Sequence, residues 1–212
     1  MKKLESTFKN MVISLTCISV VLAGLLAFAY TITKDPIAQA DKKKQEKAIR
    51  DVTPEFNNNP IDEKFSVAIN DGDLLTVFPA KQDGKLVGIA VETNTKKGYS
   101  GEIKIMVGFD IDGVVQNFSV LKHAETPGLG SKMQEWFSDT KRPSQNVKGR
   151  PWRDDIKVNK DNGEIDAITA ATITSRAFVD AFNRAYTVYQ KVMETESQKQ
   201  KIADEQNQNT NE

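Results

Sequence analysis

From Met11 to Ile32 the chain runs without a single charged residue, MVISLTCISVVLAGLLAFAYTI. No other feature restricts the architecture as strongly. At about 1.5 Å rise per residue, these roughly 22 residues span about 33 Å as a helix, enough to cross the hydrocarbon core of a bilayer. The competing reading is a cleaved leader. Lys2 and Lys3 would form its basic start, and Ala27-Phe28-Ala29 resembles a cleavage site. Leader cores usually run about 7–15 apolar residues, so a retained single transmembrane helix over 11–32 is expected. Its short flank carries Lys2, Lys3 and Lys9; the other carries Lys34, Lys42, Lys43, Lys44 and Lys47. Counting positive residues therefore disfavours an external position for residues 33–212. Large domains translocate largely regardless of charge, so charge leaves the orientation open.

Behind the span, residues 33–53 are polar, with Pro36 near their start, and read as a helical stalk. Residues 54–60, with Asn57, Asn58 and Asn59 between two prolines, read as a loop. Short strands are expected over 65–69, 74–78 and 85–93. The clearest strand signal comes next. Ile103, Ile105, Val107 and Phe109 alternate with Glu102, Lys104, Met106 and Gly108, a period-2 pattern buried on one face. Asp110-Ile111-Asp112-Gly113 turns the chain, and 114–121 returns as the partner strand. That acidic turn is too short for a calcium loop and lacks its terminal Glu. A last helix is expected from about Ile173 to Glu196, because Phe178, Phe182, Ala185, Tyr189 and Val192 form one apolar stripe. Residues 198–212 are Gln, Asn, Lys and Glu without apolar periodicity and read as a disordered polar tail. The expected fold class is α/β (α+β): one N-terminal transmembrane helix, then a compact domain over 54–197 with antiparallel strands and a long C-terminal helix.

Counting excludes several chemistries. Lys plus Arg number 29 and Asp plus Glu number 29, and no basic patch carries interleaved aromatics, so no nucleic-acid partner is expected. One cysteine, Cys17, inside the apolar stretch, leaves no internal disulfide and no cysteine-held cluster. One histidine, His123, excludes multi-histidine metal sites, and with no nucleophile elbow no hydrolase triad is expected. No metal site and no catalytic residue are expected; any redox chemistry must come from an organic cofactor.

Two segments carry the remaining signal. His123-Ala124-Glu125-Thr126-Pro127-Gly128-Leu129-Gly130 follows a strand and precedes a short helix containing Trp136 and Phe137. Its proline and glycines fix a tight loop whose backbone can approach a flat ligand closely. A plain strand-to-helix turn reads the same way, and His123 alone reads as a structural hydrogen-bonding residue. The second segment, Asp166-Ala167-Ile168-Thr169-Ala170-Ala171-Thr172-Ile173-Thr174-Ser175, leads into the last helix. Its hydroxyls suit N-capping, and its position also suits an anion, because free first-turn N–H groups and the helix dipole favour negative charge there.

Together, in that order, HAETPGLG and DAITAAT resemble the FMN-binding domain of the G subunit of the Rnf complex, an ion-translocating ferredoxin–NAD oxidoreductase. Gly98-Tyr99-Ser100-Gly101-Glu102-Ile103 also fits that family, as does the single N-terminal span. The related C subunit of the sodium-translocating NADH–quinone reductase shares the motifs and is the alternative; it is usually longer. A flavin-free anchored binding or scaffold module is the alternative of another class. The resemblance implies a covalent FMN, moved from FAD by a flavin transferase onto the last threonine of a pattern Asp-x-x-Ser/Thr-Gly-Ala-Thr. Here Asp166, Thr169, Ala171 and Thr172 fit, so FMN is implied to join through its phosphate to the Thr172 hydroxyl, with Asp166 assisting the transfer. Ala170 departs from the family's usual Gly, and its methyl could crowd the phosphate. Glu125, Thr126, Gly128, Leu129 and Gly130 are expected at the flavin ring, and Thr169, Ala171 and Ile173 beside the attachment point. The implied protein is an electron-carrier subunit and not a complete enzyme. It would sit in the cell (inner) membrane, with residues 1–10 cytoplasmic and the FMN domain on the extracytoplasmic, periplasmic side, among the other membrane subunits of its complex. Sodium or proton transport would be coupled to the electron flow.

Overall fold

A computed structural model describes residues 7–69 and 72–209. The chain forms two compact units, residues 1–44 and 45–212. Helix α1, Phe8–Val52, supplies the first, and its last turns from Gln45 belong to the second. It continues through Pro36. One 18-residue window of α1 has a mean hydropathy of 2.5 and no buried residue, so it is long and apolar enough to cross a membrane. Of the expected N-terminal segment 1–10, residues 1–6 lie outside the described residues.

The second unit is built on five strands: β1 Phe65–Ala68, β2 Leu74–Gln82, β3 Lys85–Gly98, β4 Gly101–Asp110 and β5 Val115–Lys122. They pair in sequence order, every neighbour antiparallel. From β2 to β5 each is joined to the next by a short turn, which antiparallel pairing permits. After β5 come a 3-10 turn, Gly130–Lys132, a short helix α2, Met133–Trp136, and an irregular stretch to residue 171. Helix α3, Thr172–Asn209, closes the chain. The antiparallel sheet and C-terminal helix agree with the α+β reading.

The alternating face of β4 packs as expected. Ile103, Ile105, Val107 and Phe109 are fully buried in one cluster with Phe178, Phe182, Ala185 and Val188 of α3. The opposite face departs from the expectation of one buried side. Met106 is also fully buried, with Phe78 and Ala90, under Ala48, Ile49 and Val52 at the end of α1. Gly108 makes that approach possible: a Cβ there would stand 1.7 Å from the Val52 carbonyl oxygen. A period-2 pattern with a methionine and a glycine on its weaker face therefore belongs to a sheet covered on both sides.

The C-terminus also departs from expectation. Residues 198–209, expected as a disordered tail, are helical, and 210–212 lie outside the described residues. The stretch is rich in Gln and Lys, residues of good helix propensity, and an ion pair at i,i+3 joins Lys199 to Glu196 at 2.7 Å. Absence of apolar periodicity removes a reason to pack, not a reason to be helical.

Candidate functional site

The two sequence segments meet in space. Glu125, Thr126, Leu129 and Gly130 line one wall of a cleft of about 520 Å³, and Ala170, Ala171, Thr172, Ile173 and Thr174 line the other. That volume lies in the range of small-molecule and cofactor sites, roughly 300–1,000 Å³. Tyr99, from the turn between β3 and β4, completes the lining.

Glu125 joins the walls. Its side chain is buried, and its carboxylate takes two donors. Thr174 Oγ donates to Oε2 at 2.5 Å, and the Ser100 N–H donates to Oε1 at 3.0 Å. A buried carboxylate must be satisfied in this way, or its desolvation would oppose folding. Gly130 is the residue that allows the contact. A Cβ at that position would lie 2.6 Å from Thr174 Oγ and 2.8 Å from Glu125 Oε2. The backbone N–H of Glu125 donates to His123 Nδ1 at 3.2 Å, so His123 acts in the loop's own hydrogen bonding. Glu125 thus braces the cleft, beyond its expected place on the ligand's polar edge.

The four hydroxyls at the start of α3 are not equivalent. Thr174 and Ser175 are buried. Thr174 is spent on Glu125, while Ser175 Oγ accepts the Ile168 N–H at 2.9 Å and donates to the Ala171 carbonyl at 2.9 Å. Thr169 is exposed and outside the cleft lining. Thr172 lines the cleft, is partly exposed, and its hydroxyl has no hydrogen bond among the described residues. Nor do the backbone N–H groups of Thr172, Ile173 and Thr174, whereas the Ser175 N–H starts the helical ladder on Ala171 O at 3.0 Å. The Ser175 hydroxyl is spent on Ile168 and Ala171, upstream of the helix, and caps none of its first-turn donors, so they stay free, the arrangement that favours an anion.

Asp166 lies outside the cleft lining and holds the approach to it. Its carboxylate accepts from Asn159 Nδ2 at 2.8 Å and from Ser144 Oγ at 2.5 Å, and its carbonyl accepts from Trp136 Nε1 at 2.9 Å. One turn beyond Thr172, Arg176 grips Asp161 with two hydrogen bonds of 2.6 and 2.7 Å. Those bonds hold the Asp161 carboxyl below its usual range. Gly128 also lies outside the lining, at a φ of +77° that suits its tight loop. Tyr99 lies in the Gly98–Ile103 segment that fits the family resemblance, yet it is not among the residues expected at the ligand. Within that segment it is an aromatic between two glycines at a hairpin tip. Among the described residues no group of three or more His, Cys, Asp or Glu side chains could hold a metal ion.

Ala170 has a φ of +61°, in the left-handed region. A side chain there costs roughly 1–2 kcal/mol, a strain that glycine avoids. The departure from the glycine that the resemblance implies is therefore a backbone matter first; Ala170 itself is exposed. Ala170→Gly is expected to raise stability by up to about 1 kcal/mol, net of glycine's greater freedom when unfolded. Chemical denaturation of the purified chain measures this, and a lower midpoint for the variant would contradict it.

Comparison with known proteins supports a ligand class. Residues 98–187 match the model of the FMN-binding domain family, a range that begins at the β3–β4 turn and contains both cleft walls. The chain is 37% identical over 182 residues to the G subunit of the ion-translocating oxidoreductase complex of Vibrio cholerae, covering 80% of this chain and 82% of that protein. It is 38% identical to the protein of the same name from Erwinia tasmaniensis, covering 88% and 90%. It is 31% identical to the G subunit of the Na(+)-translocating ferredoxin:NAD(+) oxidoreductase complex of Acetobacterium woodii, covering 82% and 88%.

Proposed function

The chain belongs to the family of G subunits of ion-translocating oxidoreductase complexes, and from that membership we propose that it is an electron-carrier subunit holding FMN by a covalent bond from the flavin's phosphate to Thr172. One observation carries the attachment point. Of the hydroxyls at the start of α3, that of Thr172 faces the cleft without a hydrogen-bond partner among the described residues, while Thr174 and Ser175 are buried and occupied. The residues present fit the group. The free N–H groups of the first turn would receive phosphate oxygens, and Leu129, Ile173 and the Gly130 backbone would border the ring. When bound, the flavin supplies exchange of one or two electrons, which lets it join carriers of different types. The protein's part is to fix the group, set its surroundings and keep it from loss; a flavin transferase would install it.

The names of the relatives favour the G subunit over the C subunit of the quinone reductase. In this reading the carrier passes electrons among the other membrane subunits, between ferredoxin and NAD, and the flow drives sodium or proton transport. The intact mass of the denatured chain, produced with the transferase, tests the covalent bond. Addition of FMN less water is expected; an unmodified mass would overturn the attachment.

We further propose that the 11–32 span is retained, with residues 33–53 as its stalk, and that residues 33–212 lie outside the cytoplasmic membrane. Asn59→Cys places a thiol at an exposed loop position, and Cys17, the one natural thiol, lies within the span. The variant is expected to react with an impermeant thiol reagent in intact cells whose outer membrane, if any, has been opened. Labelling only after the cytoplasmic membrane is broken would reverse the orientation.

A further inference from the structure

The Gly98–Gly101 turn has no part in the attachment chemistry, yet it is tied into the cleft. We propose that this turn is the third wall of the flavin site and that Tyr99 packs against the flavin ring; the proposal rests on the covalent FMN reading above.

Three observations support it. The first concerns exposure. Among the described residues of the second unit, the exposed large apolar side chains are Phe65, Leu74, Tyr99, Ile111, Leu129 and Ile173. Tyr99, Leu129 and Ile173 line the same cleft, one from each of its three walls. Scattered exposed apolar side chains are ordinary, but a set converging on one concave site marks a binding surface for an apolar body. Tyr99 is 67% exposed, and its hydroxyl has no hydrogen bond among the described residues.

The second concerns anchoring. The Ser100 N–H donates to Glu125 Oε1, the carboxylate whose other oxygen holds Thr174 in the first turn of α3. Gly98 presses on the same group: a Cβ there would lie 2.8 Å from Glu125 Oε1 and 2.3 Å from the Gly101 carbonyl oxygen. One buried carboxylate therefore sets the turn, the ETPGLG loop and the helix start relative to one another. A side chain on that turn inherits a fixed position at the cleft.

The third concerns residue choice. Two-residue hairpin turns favour Gly, Asn and Asp, for reasons of backbone conformation. The positive φ here falls on Gly101, at +114°, and Tyr99 is not among the residues of positive φ. Neither the turn nor the core explains an aromatic at this tip, whereas an offset or edge contact with a flat ring does.

The test uses the full chain with its covalent flavin, from cells containing the transferase. A phenol in contact with an excited flavin donates an electron and quenches the emission; the ring of phenylalanine does not. The native wild-type chain is expected to emit weakly compared with the same sample denatured. In Tyr99→Phe and Tyr99→Leu the native emission is expected to rise toward the denatured value, with flavin content, read after denaturation, unchanged. A residue serving only the turn would not shift the ratio on Tyr99→Phe. An unchanged ratio of native to denatured emission in Tyr99→Phe, with flavin present, would overturn the third wall alone. Loss of all emission from the denatured wild-type band would overturn the attachment and this wall together.

Discussion

Thr172→Ala is expected to remove all flavin fluorescence from the chain in a denaturing gel, while Thr174→Ala keeps it. The expectation is all-or-none because only a covalently held flavin stays with a denatured chain. First-turn N–H groups and the helix dipole favour a phosphate by about 0.3–1 kcal/mol, and up to about 2 kcal/mol when partly buried. That contribution, like the ring contacts, is lost on denaturation, so without the hydroxyl no flavin stays with the chain. The structure makes the contrast with Thr174 sharp. Thr174 is buried and donates to Glu125, so its loss disturbs the brace without touching the acceptor. Thr172→Ser keeps a hydroxyl at the same place and is expected to keep part of the label. A fully fluorescent Thr172→Ala band would contradict the assignment.

Phe178→Ala is expected to cost about 3–5 kcal/mol of stability, the usual range for emptying a fully buried aromatic site. Phe178 lies two turns from Thr172 on α3 and joins three elements. It stacks on Phe137 with ring centroids 4.0 Å apart, meets Phe118 of β5 edge-on at 5.1 Å, and touches Phe182 at 4.6 Å. Its removal opens a cavity between the helix, the sheet and the segment after α2, which stiff neighbours cannot fill. Leu74→Ala, at a position 68% exposed at the start of β2, is the control, with a change below about 1 kcal/mol. Denaturant titration of both variants measures the difference. A loss below about 1 kcal/mol for Phe178→Ala would show that α3 is not held by this cluster.

The sequence is most legible where a single element carries its own pattern. The alternation at Ile103–Phe109 and the stripe from Phe178 to Val192 each announce a buried face, because period 2 and period 3.6 are local properties. The two motif segments can be named, but their meeting cannot be derived from spacing. It depends on the Glu125–Thr174 bond, between residues far apart in the chain, and on the bare Gly130 that lets them touch. The cover over Met106 is hidden for the same reason, since it comes from the far end of α1. The Gly98–Ile103 segment is marked by the resemblance, but the place of Tyr99 at the cleft is not, because a lone aromatic in a turn has no period to betray it. The meaning of Ala170 is half visible: the motif marks the departure, and only the backbone angle explains why glycine suits the place. The C-terminal stretch misleads because polarity is no sign that a segment lacks helix.

Peptide mass spectrometry of the chain made with its transferase tests the central claim most directly. Cleavage after Lys160 and Arg176 releases the segment 161–176, which holds Thr169, Thr172, Thr174 and Ser175 together. Fragmentation is expected to place FMN less one water on Thr172, with the other three hydroxyls unmodified. An adduct on Thr169, Thr174 or Ser175, or a segment carrying no flavin at all, would contradict the account.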